Sequence, residues 1–408
     1  MTLDLDYVRD QFPNLSDNYV YLDNAGGSQV LAGVARKIGE YLLTSSVQLG
    51  ASYRKSVEAG EKVLAARRSI ARLINAPHDE EVVMAGSTTL LLQLLCRAIE
   101  PGIKPGDEII VSSSDHEANI GPWVRLERAG ARIRWWTVNK DSLDLELADL
   151  DKLITPRTRW VAMTHASNIL GTVNPVEAVA RKAHAAGARL CVDAVAYAPH
   201  RLVDVQASGA DAYVFSFYKV FGPHFAVLWL PRAQFLELPS LNHYFVGRDV
   251  LPYKLQPGNV NYELSWGCTG ICDYLVDIGR RLGANGDERQ CMAAAFAAFE
   301  GQEDTIAERL LGYLRGRRDV RIIGRPRVEQ RRRVPTISFV APGRSSADIV
   351  ARVDGHDIGI RYGDFYARRL IEELGLSAHG GVVRVSMAHY NTLDEIDRLI
   401  RALDSGLN

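Results

Sequence analysis

The sequence predicts an α/β protein: a large domain around a mostly parallel seven-stranded sheet, followed by a smaller α+β domain at the C-terminus. Three observations predict it. From Glu81 to Leu230, short apolar runs bounded by turn residues alternate with stretches of helical periodicity, the pattern of strand–helix–strand units. Two of those runs, Arg189–Asp193 and Tyr213–Phe217, lead into an aspartate and a lysine, Asp193 and Lys219. The carboxyl ends of parallel strands are where ligands collect, so both groups would face one crevice. Beyond a Gly/Asn/Asp-rich break at Gly283–Asp287, the alternation gives way to a long helical span and a separate α+β pattern.

A chain of 408 residues exceeds one ordinary domain, and two is the simplest reading. The expected division is an N-terminal segment, 1–30, packing on the small domain, then a large domain, 31–284, and a small one, 285–408. Charge is balanced, with 48 basic against 49 acidic residues, and gives no reason to expect a nucleic acid or a membrane surface as partner. The basic cluster at Arg325, Arg327, Arg331, Arg332 and Arg333 has no interleaved aromatics and reads as a solvated loop. The five cysteines, at 96, 191, 268, 272 and 291, are odd in number and form no CxxC pair, which argues against a disulfide framework or a zinc ribbon. Cys268 and Cys272 share a helix face but have no nearby histidine, so they read as packing and no metal is expected. The N-terminus lacks the basic and apolar regions of a targeting signal, and the longest apolar stretch, Leu90–Ile99, is too short to span a bilayer. A cytoplasmic protein is expected.

In chain order, Tyr21-Leu-Asp-Asn-Ala-Gly-Gly-Ser28 carries paired glycines that allow close backbone approach, or simply a turn. Helices are expected over Leu31–Leu43 and Arg54–Ile74, separated by the loop Gln48–Tyr53. The strand Glu81–Ala85 runs into Gly86-Ser-Thr-Thr89 and then a helix starting near Leu90. Free backbone N–H groups and the helix dipole make such a junction a phosphate site, although serine and threonine there are also ordinary N-caps. Glu108–Ser112 is the next strand and leads to Asp115-His-Glu-Ala-Asn-Ile-Gly-Pro-Trp123. Strands Arg132–Val138 and Trp160–His165 follow, the second entering Ser167-Asn-Ile-Leu-Gly-Thr172, where an asparagine before a glycine also suits a plain turn. The helix Pro175–Ala186 feeds Arg189–Asp193, and His224–Leu230 is the last strand of the series. Pro252–Tyr262 is a polar loop containing Gly258-Asn-Val-Asn261. The C-terminal part reads as strands Val320–Gly324, Thr336–Ala341, Ile358–Tyr362 and Val382–Met387 with helices Ala347–Asp354, Phe365–Leu374 and Leu393–Leu403.

A lone lysine past a strand is usually a solvated charge. Beside a strand-end aspartate it becomes a candidate Schiff-base former, with the aspartate as the partner that a pyridinium nitrogen needs. The pair, and the order of the motifs around it, resembles the class V aminotransferase and cysteine desulfurase family of pyridoxal-phosphate (PLP) enzymes, of fold type I. The resemblance runs from Tyr21 to the C-terminal helix. It implies PLP as cofactor, an α-amino acid as substrate, and catalytic roles for Lys219, His116 and Asp193, with the His116 imidazole stacked on the cofactor ring. It implies cofactor contacts from Ser87, Thr88, Thr89, His116, Asn168, Asp193, Val195, Ser216 and Lys219. The loop holding Asn259 would cross the interface of a homodimer and serve the neighbouring subunit's phosphate, making the active sites composite. Arg384 matches the family's arginine that forks onto the substrate α-carboxylate, a geometry that suits a guanidinium. Asn168 and Tyr366 would also meet the substrate.

Two departures bear on the reaction. Tyr366 stands where desulfurases of this family carry a nucleophilic cysteine, and Ala196 stands where a glutamine usually bonds the cofactor's phenolic oxygen. The expected activity is therefore a cysteine desulfurase-like carbon–sulfur lyase, eliminating a β- or γ-substituent without a protein persulfide. The alternatives are an aminotransferase or an epimerase and, from another class, a catalytically silent PLP-binding protein.

Overall fold

The computed structural model describes residues 3–329 and 331–407. Its seven-stranded sheet has the order Val82–Ala85, Ala226–Trp229, Ala212–Ser216, Arg189–Asp193, Thr158–Thr164, Glu108–Ser112, Arg132–Trp136. All the strands run the same way except Ala226–Trp229, which is antiparallel to both of its neighbours. The central strands are buried along their length because helices cover both faces. Alternation then sorts the side chains. Leu190, Val192, Tyr213 and Phe215 pack on one face with Val179 and Ala183 of the helix Val176–Ala185, while Cys191, Ala212 and Val214 pack on the other with Leu91, Leu92 and Leu95 of the helix Thr88–Ile99.

The second sheet is antiparallel, in the order Arg361–Gly363, Val382–Ser386, Thr336–Val340, Arg321–Ile323. Helix Glu288–Gly316 starts at an Asp287–Gln290 capping box and joins the two cores: Met292, Phe296 and Phe299 pack in the large one, Ile306, Leu310 and Leu314 in the small one. The segment 1–30 likewise serves both. Val20 and Leu22 enter the small core, whereas Val8, Phe12 and Leu15 join the larger cluster, where the Phe12 ring meets Tyr390 of the C-terminal part.

The expected strand Ile358–Tyr362 is two strands. Ile358–Gly359 pairs in parallel with Val20–Tyr21, and Arg361–Gly363 pairs with Val382–Ser386. A Cβ on Gly359 would lie 3.1 Å from the Tyr19 hydroxyl, so a side chain would crowd the approach of the N-terminal strand. The helix expected from Phe365 starts at Arg368, because Phe365 and Tyr366 adopt left-handed φ values of 50° and 59°. Among the described residues, no helix is long and apolar enough to cross a membrane.

Candidate active site

A cleft opens where the strands ending at Asp193 and Ser216 meet the N-terminus of helix Thr88–Ile99. Ser87 caps that helix, its hydroxyl accepting from the Leu90 N–H at 3.1 Å. Ser216, at the end of its strand, accepts from the Thr88 N–H at 3.3 Å and lies 2.7 Å from the Thr88 hydroxyl. This end of the cleft thus joins hydroxyls to the positive end of a helix dipole.

Asp193 forms part of the cleft wall opposite. Its Oδ1 accepts from the Val195 N–H at 2.9 Å, and burial pushes its pKa up to about 6 against the pull of that N–H and of the Lys219 charge. Lys219 sits in the 3-10 turn Phe217–Lys219 that closes the strand Ala212–Ser216, and its Nζ donates to the Ala25 carbonyl. Burial first, then the Arg384 charge, lowers its pKa to about 8, with Asp193 and Asp23 opposing. His116 Nδ1 accepts from the Ala118 N–H at 3.0 Å, capping the turn Glu117–Asn119 and leaving Nε2 to carry the ring proton. Burial, Lys219 and Arg384 lower its pKa to about 4, so the imidazole is neutral at physiological pH.

The cleft brings together Ser87, Thr88, Thr89, His116, Asn168, Asp193, Val195, Ser216 and Lys219. Three other candidates stand apart from it. Asn259 is exposed and does not line the cleft of its own chain. Arg384, on the small sheet, adjoins it through Asn168, whose carbonyl accepts from Nη1 at 3.3 Å. Asn168 Nδ2 in turn donates to the Phe365 carbonyl at 3.0 Å. Tyr366 is 71% exposed at the rim, with its ring centroid 5.2 Å from that of His116.

Sequence reasoning assigned no role to Asp115 or Tyr218. Asp115 is fully buried and accepts from Ser112, from Asn119 Nδ2 at 2.6 Å and from the Thr164 N–H at 2.9 Å, tying two strand ends together beneath His116. Burial raises its pKa to about 7. Its signal was a carboxylate just past a buried strand. Tyr218 lines the cleft beside Lys219 and stacks on His224, with centroids 4.9 Å apart. It lies just past the buried run Tyr213–Phe217, where only Lys219 stood out.

Residues 20–242 and 288–399 match the family described as aminotransferase class-V. The chain belongs to the class V aminotransferase family. It is 41% identical to the aminotransferase-like protein FGM3 of Gibberella zeae, over 98% of each chain. It is 34% identical to the cysteine desulfurase-like protein ustD of Aspergillus flavus, over 98% of this chain and 90% of that one. The crystal structure of the cysteine desulfurase CsdA from Escherichia coli superposes with a TM-score of 0.84 at 28% identity, covering 100% of this chain and 99% of the other. The fold is that of the fold type I PLP enzymes, and the chain is a PLP-dependent enzyme of this cysteine desulfurase-like, class V family.

The cleft fits that cofactor on its own chemistry. A hydroxyl-lined helix N-terminus suits a phosphate, and a buried lysine suits an aldehyde. The buried carboxylate suits a ring N–H, which would relieve the burial that raises its pKa. Among the described residues, no group of three or more His, Cys, Asp or Glu could hold a metal ion.

Proposed function

We propose that this class V enzyme is a carbon–sulfur lyase that eliminates a β- or γ-substituent from an α-amino acid without forming a protein persulfide. One observation carries the reading. All five cysteines are free and buried, and the rim position beside His116 is held by Tyr366. Burial pushes the thiols of Cys96, Cys191 and Cys268 well up, and that of Cys272 to about 11, away from the thiolate that sulfur transfer needs.

PLP, when bound, supplies the electron sink for charge developing at the substrate Cα. The chain's residues divide the remaining work. Ser87, Thr88, Thr89 and Ser216 would hold the phosphate, and Asp193 would hold the proton of the ring nitrogen. Val195, Asn168 and the neutral His116, which line the same cleft, would contact the cofactor ring. Arg384 takes the substrate α-carboxylate, and Lys219 moves the Cα proton with its pKa drawn toward neutrality. An aminotransferase would start from the same proton removal, and the resemblance to the aminotransferase-like protein FGM3 of Gibberella zeae favours it as the second reading.

The test screens purified enzyme against amino acids for sulfide, thiol and keto-acid release, then repeats the screen with every cysteine replaced by serine or alanine. Turnover of the responding substrate is expected to stay within about tenfold, or about 1.4 kcal/mol of barrier. A persulfide on any of the five by mass spectrometry, or a thousandfold loss in a folded, PLP-loaded single-cysteine variant, would make a persulfide desulfurase the better name. Accumulation of the pyridoxamine form with an amino donor, without elimination, would favour the aminotransferase.

The same reading includes a homodimer with composite sites. Asn259 is exposed, and the segment that precedes it in the chain carries the exposed aromatics Tyr244, Phe245 and Tyr253, which supports a role at a neighbouring subunit. Sedimentation at micromolar concentration is expected to give a dimer. An active, PLP-loaded monomer would contradict it.

A further inference from the structure

Arg384 is accompanied by a carboxylate of the chain's own. Asp23 Oδ1 lies 2.9 Å from Arg384 Nη2, and its Oδ2 lies 3.4 Å from Arg361 Nη1. The two arginines differ in setting: the Arg384 side chain is 2% exposed and that of Arg361 57%. Asp23 sits at the head of a tight turn, with the Gly26 N–H bonded to its carbonyl at 2.8 Å. A Cβ on Gly26 would fall 2.5 Å from Asp23 Oδ2, so glycine there leaves room for the carboxylate between the arginines. The Phe365 ring stacks 3.6 Å from the Arg384 guanidinium carbon and 5.5 Å from that of Arg361. Arg384 Nε is buried and has no hydrogen-bond partner among the described residues, so the guanidinium retains donor capacity.

Two cations therefore share one carboxylate, and one further carboxylate balances the group. We propose that Asp23 is an exchange ligand: the substrate's carboxylate displaces it from Arg384, and Asp23 shifts its pairing wholly to Arg361. The proposal rests on the reading of Arg384 as the carboxylate receptor. Its physical basis is the cost of leaving a buried charge unpaired. With exchange, Arg384 is paired at every stage and Asp23 keeps a partner on the solvent side. Asp23 thereby sets substrate affinity by competition, and ligands without a carboxylate cannot displace it.

The experiment measures propionate binding to the holoenzyme by titration calorimetry. Asp23→Asn removes the competitor and is expected to tighten binding about tenfold, or about 1.4 kcal/mol. Gly26→Ala, which pushes the carboxylate aside without removing it, is expected to act in the same direction and serves if Asp23→Asn folds poorly. Arg361→Gln pins Asp23 to Arg384 and is expected to weaken binding severalfold. In the double variant Asp23→Asn/Arg361→Gln, that weakening is expected to vanish, because the coupling runs through Asp23. Loss of binding in Arg384→Ala with unchanged or weaker binding in Asp23→Asn overturns the exchange alone and makes Asp23 a fixed support. An Arg361 effect that persists in the Asp23→Asn background also overturns it, since Arg361 would then act on the ligand directly. Binding indifferent to Arg384→Ala overturns the receptor reading itself and the exchange with it.

Discussion

Replacing Lys219 by alanine is expected to lower turnover about ten-thousandfold, or about 5 kcal/mol of barrier. The same change is expected to abolish the covalent attachment of PLP that borohydride fixes in the parent. The magnitude follows from the two tasks proposed for this one side chain, holding the cofactor covalently and moving the Cα proton. Its environment suits both, because burial and the Arg384 charge bring its pKa from 10.5 to about 8. That depression also costs stability. A base whose folded pKa is depressed contributes favourably only above its unfolded value, and the contribution is lost as pH falls through the folded one. At pH 7, cofactor-free protein therefore carries the burden of a charged, buried lysine. Lys219→Met is expected to raise the melting temperature of the cofactor-free form at pH 7, with the gain shrinking as pH climbs from about 8 toward 10.5. Lost activity with gained stability distinguishes a functional lysine from a structural one. Peptide mapping that places the reduced adduct on another lysine would remove Lys219 from this role.

Those parts of the site that local pattern encodes were legible in the sequence. Asp193 ends one buried run and Lys219 follows another, which placed the pair in one crevice, while Ser87–Thr89, between a strand and a helix, suited a phosphate and joined them through the family resemblance. The relation of Arg384 to Asp23 was not legible, since the two are brought together by sheet pairing 361 residues apart. The N-terminal strand Val20–Tyr21 was missed for the same reason: two residues carry no periodicity, and its partner is Ile358–Gly359. Phe365 and Tyr366 misled in another way. Their apolar spacing continues the helix that follows, but the backbone turns left-handed at both, which presents the Phe365 ring to Arg384 and leaves Tyr366 beside His116. The reversal of Ala226–Trp229 also had no local sign, because a fully buried strand reads alike in either direction.

Asp193→Asn is expected to reduce kcat/KM about a thousandfold, or about 4 kcal/mol of transition-state stabilisation, while leaving the fold intact. Asparagine keeps the shape and can still accept from the Val195 N–H, so what the substitution removes is the negative charge. In the proposed role, losing that charge would leave the proton on the cofactor's ring nitrogen unsupported, and the ring would withdraw electrons from Cα less strongly. Stability is expected to move the other way. Burial raises the Asp193 pKa to about 6 in the cofactor-free protein. An acid with a raised folded pKa contributes stability that is fully present below its unfolded value, near about 4, and is lost as pH rises through about 6. Cofactor-free Asp193→Asn should therefore melt higher than the parent at pH 8 and about level with it at pH 4. Both melts are measured on borohydride-free, PLP-stripped protein, and activity on the reloaded enzyme. Activity within tenfold of the parent, with PLP bound, would mean that the ring nitrogen does not depend on this carboxylate. A variant that melts lower at pH 8 would instead make Asp193 a structural anchor whose charge the fold itself requires.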